Sequence, residues 1–350
     1  MNHEIRNKVC DLNNLYKATY ICKRNVGWKD SVSGYVRRSL YNCEKLRQSI
    51  LDGTYDIKPY SIFYVYEPKK RKIVSTRLND RIFQRSLCDN YLYHELTRHF
   101  IYDNGACLQM RGTDFSRKRL RVHMMRFYRK HGLDGYVLKM DLSNFFGSTR
   151  HDVAISAIRK CVRDEWAVSE VVRIVNSFND GDDPEIGLGL GSQVTQLIEL
   201  AVLDDIDHFI KEQLKIRYYV RYMDDLILIH ESKEHLKECK RRISEMLTKI
   251  GLSLNKKKTQ IFPISKPIKF LGFSHRLTES GKIVKKLLPK KVAHERRKLK
   301  RLAERHRKGI MTREDVDRCF ISWKAHAQKG DEYFLVCRME TYYKKLMEVT

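Results

Sequence analysis

Hydrophobic positions change period several times along this chain, and each change marks an element. From Ser33 to Ile50, the residues Val36, Leu40, Cys43, Leu46 and Ile50 recur at helical spacing, which predicts one helix stopped by Leu51-Asp52-Gly53-Thr54. Ser61–Val65 and Ile73–Ser75 are β-branched and aromatic runs and predict two strands around the charged turn Glu67-Pro68-Lys69-Lys70-Arg71-Lys72. Helical spacing returns over Asp80–Phe100 and Asp114–His131, with Gly132 as the stop of the second. Tyr136–Leu142 alternates strictly: Tyr136, Leu138 and Met140 face one side, Val137, Lys139 and Asp141 the other, as in a strand. Thr195–Leu214 predicts a long apolar helix. Tyr218–Arg221 and Leu226–Ile229 predict a hairpin, and Ser232–Ile250 a helix with Leu236, Ile243, Leu247 and Ile250 in register. Phe270–Ser274 and Lys282–Lys286 predict a second hairpin, turning at Thr278-Glu279-Ser280-Gly281. Beyond Pro289 the pattern is helical throughout, with Thr312 and Asp331 as expected N-caps. The whole reads as an α+β fold with antiparallel strands.

Composition narrows the partners. Hydrophobic residues make up 42% of 350, enough for a folded core divided into two or three subdomains. Lys and Arg number 69 against 43 Asp and Glu, a formal net charge of +26, which points to a large polyanion. Nucleic acid is favoured over a membrane, because no apolar run approaches spanning length. Met1–Tyr20 is polar and lacks a signal-peptide apolar region, so a cytoplasmic protein is expected. The nine cysteines stand singly, without a Cys-x-x-Cys pair or zinc spacing, and read as reduced thiols. Lys290–Lys308 holds ten Lys/Arg against two Glu around a narrow stripe of Val292, Leu299, Leu302 and His306, a separate helical unit with one basic face.

Candidate chemistry sits at the tip of the first hairpin, Tyr222-Met223-Asp224-Asp225. Adjacent carboxylates repel, and the turn lacks the glycine or asparagine that such a hairpin prefers. A divalent cation is the natural partner, because Mg²⁺ takes carboxylate oxygens together with substrate phosphates. A third carboxylate, Asp141, ends the Tyr136–Leu142 strand 83 residues earlier. If that strand lies beside the hairpin, Asp141 and Asp224 can share two metals roughly 3.5–4 Å apart, the arrangement phosphoryl transfer uses. Because Asp224 and Asp225 alternate faces, Asp224 is expected as the full ligand and Asp225 in support. The bland alternative is a solvated acidic turn.

In order, the segments resemble the polymerase motifs of reverse transcriptases over about residues 55 to 275. Lys69-Lys70-Arg71-Lys72-Ile73 with Asp80-Arg81-Ile82-Phe83-Gln84 looks like the fingers motifs, Asp141–Phe146 the first palm motif and Tyr222–Asp225 the second. Gly251–Asn255 through Lys258-Thr259 looks like the following segment, and Phe270-Leu271-Gly272-Phe273 the primer grip. The resemblance implies a right-hand polymerase. Residues 1–135 would be N-terminal helices and fingers, 136–275 the palm, with fingers residues interleaved at about 150–190, and 276–350 a helical thumb. It implies RNA-directed DNA synthesis with two Mg²⁺ ions, or Mn²⁺ in their place, held by Asp141, Leu142, Asp224 and Asp225. It also implies that Lys70 and Arg71 hold the incoming triphosphate and that Phe146 excludes a 2′-hydroxyl. Gly191 and Gln196 would line the nucleotide site, and Lys258 would give a proton to pyrophosphate, with Lys256 and Lys257 as competitors. Tyr222, Met223, Phe270, Leu271 and Gly272 would meet the primer end. Template RNA, primer or cDNA, and deoxynucleotides are the implied partners. No RNase H or integrase domain is expected in the remaining length.

Gly187-Leu188-Gly189-Leu190-Gly191-Ser192-Gln193-Val194-Thr195-Gln196 looks most like the Gly-x-x-x-Ser-Gln stretch of diversity-generating retroelement enzymes. Thr195 stands where serine is expected and Gly189 where proline is frequent. That subfamily copies RNA with errors at adenines and works with a small accessory protein; self-association is a further partner expectation. Antiphage reverse transcriptases carry related motifs, and an RNA-binding or splicing-support protein of the same fold is a rival from another class. Phe146 could instead be core, and Gln196 could serve only as a local hydrogen-bonding group. Trp323 with Phe320 and Ala327 is expected to be core of the C-terminal unit.

Overall fold

The computed structural model describes residues 4–66, 70–178, 183–189 and 191–348. Four helices open the chain: α1 (Glu4–Val9), α2 (Leu12–Cys22), α3 (Asp30–Arg37) and α4 (Ser39–Leu51). The strands β1 (Ser61–Val65) and β2 (Arg71–Ser75) form a two-stranded antiparallel hairpin. Then come α5 (Leu78–Leu87), α6 (Tyr93–Thr97), α7 (Thr113–His131), β3 (Tyr136–Asp141), α8 (Phe145–Ser148), α9 (His151–Cys161) and α10 (Glu165–Asn176). They are followed by α11 (Gln193–Val202), α12 (Asp204–His208), β4 (Tyr218–Tyr222), β5 (Asp225–His230), α13 (Lys233–Lys249) and β6 (Gln260–Pro263). The strands β7 (Ile268–Phe270), β8 (Phe273–Leu277) and β9 (Ile283–Leu287) precede α14 (Pro289–Arg307), α15 (Arg313–Ala327) and α16 (Tyr333–Glu348).

The central sheet is antiparallel, in the order β4-β5-β3-β6. Its alternation sorts side chains between two cores. Leu138, Met140, Leu226 and Leu228 join the large cluster with α9, α11 and α13. Val137, Val220, Ile227 and Ile229 meet Leu120, Met124 and Phe127 of α7. With both faces covered, Leu226-Ile227-Leu228-Ile229 is a continuous apolar run, as a doubly buried strand requires. A second sheet, β7-β8-β9, continues the α7 side and leads into the three C-terminal helices. There Phe320 stacks on Trp323 and Tyr343, and Ala327 is buried, as expected of a core.

Several boundaries differ from the sequence reading. The helix expected over 33–50 is two helices, divided at Arg38, whose φ of −115° and ψ of 34° leave the helical region. The Asp80–Phe100 segment passes through a π-helical turn at Cys88–Leu92 and ends at Thr97. Thr195–Leu214 breaks near Leu203 and closes with a π turn at Phe209–Gln213. The second hairpin is β8–β9, three residues later than expected on its first strand, because the chain folds back tightly at Leu271-Gly272 with φ of 44° and 89°. Thr312 caps α15 through a capping box with Asp315. Asp331 does not cap α16, which starts at Tyr333; its carboxylate accepts instead from the Lys285 backbone N–H and ties α16 to β9. Glu67, Pro68 and Lys69 of the basic turn, and Leu190 of the glycine-rich stretch, lie outside the described residues.

Candidate active site

The central sheet brings the three predicted carboxylates to one end. Asp141 closes β3 and pairs directly with Asp225, the first residue of β5. Tyr222 pairs with Asp225 on the other side, so Met223-Asp224 is a two-residue turn. Met223 has φ of 52°, a left-handed conformation that suits glycine and costs a side-chain-bearing residue of order 1–3 kcal/mol. The sheet therefore holds this turn against local preference. One device is visible: Arg221, fully buried on the opposite face, donates from Nη1 to the Met223 carbonyl (3.3 Å). Its Nε and Nη2 donate to Asp207 at 2.6–2.8 Å, and Asp207 is equally buried. A loop at 101–112 closes the β4 edge: the Arg221 N–H donates to Asp103 O (3.1 Å) and Gly105 N–H to Arg221 O (3.2 Å). Asp103 accepts from Arg119, His123 and Lys211; its own burial favours the neutral acid, but His123 and Lys211 outweigh this and hold its pKa below the usual carboxylate range.

The charges in the site are unevenly compensated. Lys258 donates to Asp141 Oδ1 at 2.6 Å, on the segment where Asn255 N–H also donates to Asp141 O. Lys139 lies 2.9 Å from Asp225 Oδ1 and donates 2.7 Å to the Lys269 carbonyl just before the Leu271-Gly272 turn. Burial raises the pKa of Asp224, and repulsion from Asp141 adds to it, against the weaker fields of Lys258 and Arg71. Burial also raises Asp225, with Lys139 opposing and the other two acids reinforcing the shift. Among the described residues, no three His, Cys, Asp or Glu side chains already close on one ion position. The donor set is nonetheless hard oxygen under mutual repulsion, which fits a Mg²⁺-type cation. Leu142 could contribute only its backbone carbonyl; its N–H is taken by Asp224 O at 3.3 Å.

The remaining candidates divide. Arg71 opens β2 and its charge reaches Asp224, whereas Lys70 rests over the rings of Tyr64 and Tyr66 at 4.8 and 6.0 Å. Phe146 lies half-buried in the single turn of α8, edge-on to Phe145, and its carbonyl accepts from Leu188 N–H at 2.7 Å. Gly191 approaches β2, where an added Cβ would lie 3.8 Å from Val74 O, and its φ of 121° favours glycine. Gln196, on α11, accepts a hydrogen bond from the Cys107 thiol at 3.2 Å. Phe270 is buried among the residues packed on α7, so its ring faces the core; Leu271 and Gly272 form the turn itself. Gly272 is crowded by Lys291 and His326 of the C-terminal helices. Lys256 and Lys257 are exposed and have no contact to the acids comparable with that of Lys258.

Sequence reading passed over Lys139, Arg221, Asp207, Thr149 and Glu199 as site-shaping residues. Strand alternation put Lys139 on the face of Asp141 and was a usable signal. The partner of Arg221 sits on α12, 14 residues earlier, and that of Glu199 in the extended link between α8 and α9, 50 residues earlier; hydrophobic periodicity marks neither.

The sequence model of the family described as "Reverse transcriptase (RNA-dependent DNA polymerase)" matches residues 67–275. No curated protein matches the chain. Similar solved structures include apo telomerase from Candida tropicalis truncated from its C-terminal domain, with a TM-score of 0.50 at 14% identity over 70% of this chain and 60% of that one. Telomerase from Candida albicans in complex with a TWJ fragment of telomeric RNA has a TM-score of 0.51 at 13% identity, over 90% of this chain and 60% of that one. Such identities speak for fold alone, and the chain spans about 60% of the length of these two structures. With the antiparallel central sheet and its flanking helices, they give an α+β right-hand polymerase fold.

Proposed function

The chain belongs to the reverse transcriptase (RNA-dependent DNA polymerase) family, and on that premise we propose that it copies an RNA template into DNA at Asp141, Asp224 and Asp225. One observation carries this reading: Asp141 and Asp225 face each other across β3 and β5, with Asp224 in the adjoining strained turn. Asp141, Asp224 and Asp225, with the Leu142 carbonyl, would hold two Mg²⁺ ions, for which Mn²⁺ can substitute. Bound there, the cations would acidify the primer 3′-hydroxyl and neutralise the departing pyrophosphate. The chain's own groups do the rest. Asp224 is the full ligand and Asp225 the support, restrained by Lys139. Lys258 moves from Asp141 to the pyrophosphate and gives it a proton. Arg71 and Lys70 bind the triphosphate from the fingers hairpin, Phe146 blocks a 2′-hydroxyl, and Gly191 and Gln196 border the base. Tyr222, Met223, Leu271 and Gly272 support the primer end. We read residues 1–135 as N-terminal helices and fingers, 136–275 as palm, with fingers residues interleaved at about 150–190, and 276–350 as thumb.

Primer extension on an RNA template with deoxynucleotides and Mg²⁺ tests this reading. Wild type should extend the primer, and Asp224→Ala should not. Full activity in Asp224→Ala would sink the mechanism.

The finer assignment is to a diversity-generating retroelement, with error-prone copying and a small accessory partner. It is supported by the Gly191–Gln196 stretch at the start of α11, close to both β2 and Cys107. Errors concentrated opposite template adenines would favour it. Accurate copying by a gene lying in a defence cassette would favour an antiphage enzyme, and RNA binding without synthesis would favour a splicing-support role.

A further inference from the structure

Glu199 is a carboxyl group with no solvent exposure, on the α11 face turned toward the first palm motif. Among the described residues its side-chain hydrogen-bond partner is Thr149, also fully buried: Thr149 Oγ1 lies 3.0 Å from both Glu199 Oε1 and Oε2. The same hydroxyl lies 3.0 Å from the Phe145 carbonyl. A hydroxyl has one proton to give. If Thr149 donates to Phe145 O, only a protonated Glu199 can complete the chain, by donating to Thr149 Oγ1. An ionised Glu199 would compete with Phe145 for that proton and would be a buried charge without an ion-pair partner among the described residues. Burial favours the neutral form and pushes this carboxyl up to about 8; the Thr149 hydroxyl works against this, and the charge of Asp224 adds to it.

Thr149 ends the short turn that carries Phe146. The turn is held from the other side by backbone contacts: Leu188 N–H donates to Phe146 O (2.7 Å) and Gly187 N–H to Thr149 O (2.9 Å). Gly147 sits where a Cβ would strike the Asn144 side chain, at 2.5 Å from its Nδ2. The turn therefore has little room, and Glu199 is its support from beneath.

We propose that Glu199, as a neutral acid, is the positioning residue for Phe146, setting through Thr149 how high the ring stands under the incoming sugar. This rests on Phe146 being the sugar gate. The test is single-nucleotide incorporation on an RNA template, comparing kcat/KM for a deoxynucleotide with that for its ribonucleotide counterpart. Phe146→Ala should abolish most of the discrimination. Glu199→Ala and Thr149→Val should lower it about tenfold, the scale of one lost positioning hydrogen bond. Glu199→Gln should keep the wild-type ratio, because its amide N–H can donate to Thr149 as the acid does. The inference is overturned if Glu199→Ala and Thr149→Val discriminate like wild type while Phe146→Ala does not. It is equally overturned if Glu199→Gln falls as far as Glu199→Ala. An unchanged ratio in Phe146→Ala would remove the gate and the inference with it. Thr149→Val, a near-isosteric change, decides the matter if Glu199→Ala does not fold.

Discussion

Two hairpins dominate the proposed site, and they are built in opposite ways. In β4–β5, Tyr219, Leu226, Ile227 and Leu228 have no more than 1% of their surface exposed, and the turn is tied from behind by Arg221 and Asp207. In β1–β2, Ile62, Phe63, Tyr64 and Val65 are 39–53% exposed, and among the described residues the two strands pair with each other alone. The first hairpin can hold Met223 in a costly conformation because the surrounding core over-determines it. The second is anchored in the main core through Val74 of β2, while β1 stays exposed and Lys70 rests over the rings of Tyr64 and Tyr66. A polymerase needs both: acids that do not move, and a cationic arm that can close over a triphosphate.

The comparison is broken most directly at the rigid hairpin. Asp224→Asn should reduce single-turnover incorporation by roughly a thousandfold or more, in line with loss of a principal charge-stabilising group. Asp225→Asn, next to Lys139, should lose clearly less; equal losses would erase the distinction drawn between the two. Next in size is the support behind them. Removing Arg221 leaves Asp207 a buried, uncompensated charge, so Arg221→Ala should cost about 3–5 kcal/mol in urea unfolding. Asp207→Leu combined with Arg221→Met should recover much of that stability without restoring activity, because nothing then holds the Met223 carbonyl.

How much of this could be read in the sequence follows the same division. The strands β3, β4 and β5 and the turn between β4 and β5 were legible, because strand alternation is local. Arg221 stands in full view beside Tyr222, yet its role was hidden: its partner Asp207 is set by how α12 packs under the sheet. Glu199 lies within the helix predicted over 195–214 and drew no separate reading, because only the fold supplies Thr149. The single helices expected at 33–50, 80–100 and 195–214 failed at Arg38, at the π turn 88–92 and near Leu203, where packing overrides a continuous apolar period. Phe270, proposed at the primer end from its motif, has its ring buried in the core packed on α7.

Smaller effects are expected at Arg71 and Glu199. Arg71→Ala should raise KM for the deoxynucleotide about tenfold with a smaller change in kcat, as loss of a triphosphate contact would. A change confined to kcat would instead place Arg71 among the groups acting at the acids. Glu199 makes the rigid side pH-dependent. Its proton is held up to about 8 in the folded chain, against an ordinary value of 4.5. Stability from that proton is complete below 4.5 and is lost as pH rises toward 8, because the folded state then binds the proton that the unfolded state has released. Tm of the wild type should therefore fall more steeply over that interval than Tm of Glu199→Gln, which has no such proton to lose. Parallel curves would mean that Glu199 is charged in the fold.

The smallest expected effect is the most telling about the exposed hairpin. Tyr64 is about half exposed and carries Lys70 over its ring at 4.8 Å, an exposed cation–π contact worth about 0.5–1 kcal/mol at most. Truncation to alanine also frees a surface side chain, so Tyr64→Ala should shift unfolding free energy by no more than about 0.5 kcal/mol. The matching change in the rigid hairpin, Tyr219→Ala, empties a fully buried ring position and strips a hydroxyl partner from Asp207, so about 3–5 kcal/mol is expected there. Urea midpoints for the two variants measure the contrast without any substrate. If Tyr64→Ala cost as much as Tyr219→Ala, the β1–β2 hairpin would be docked against the body of the protein in solution. Its exposed aromatic strand would then be a supported element, and the division between a fixed floor and a closing arm would fail.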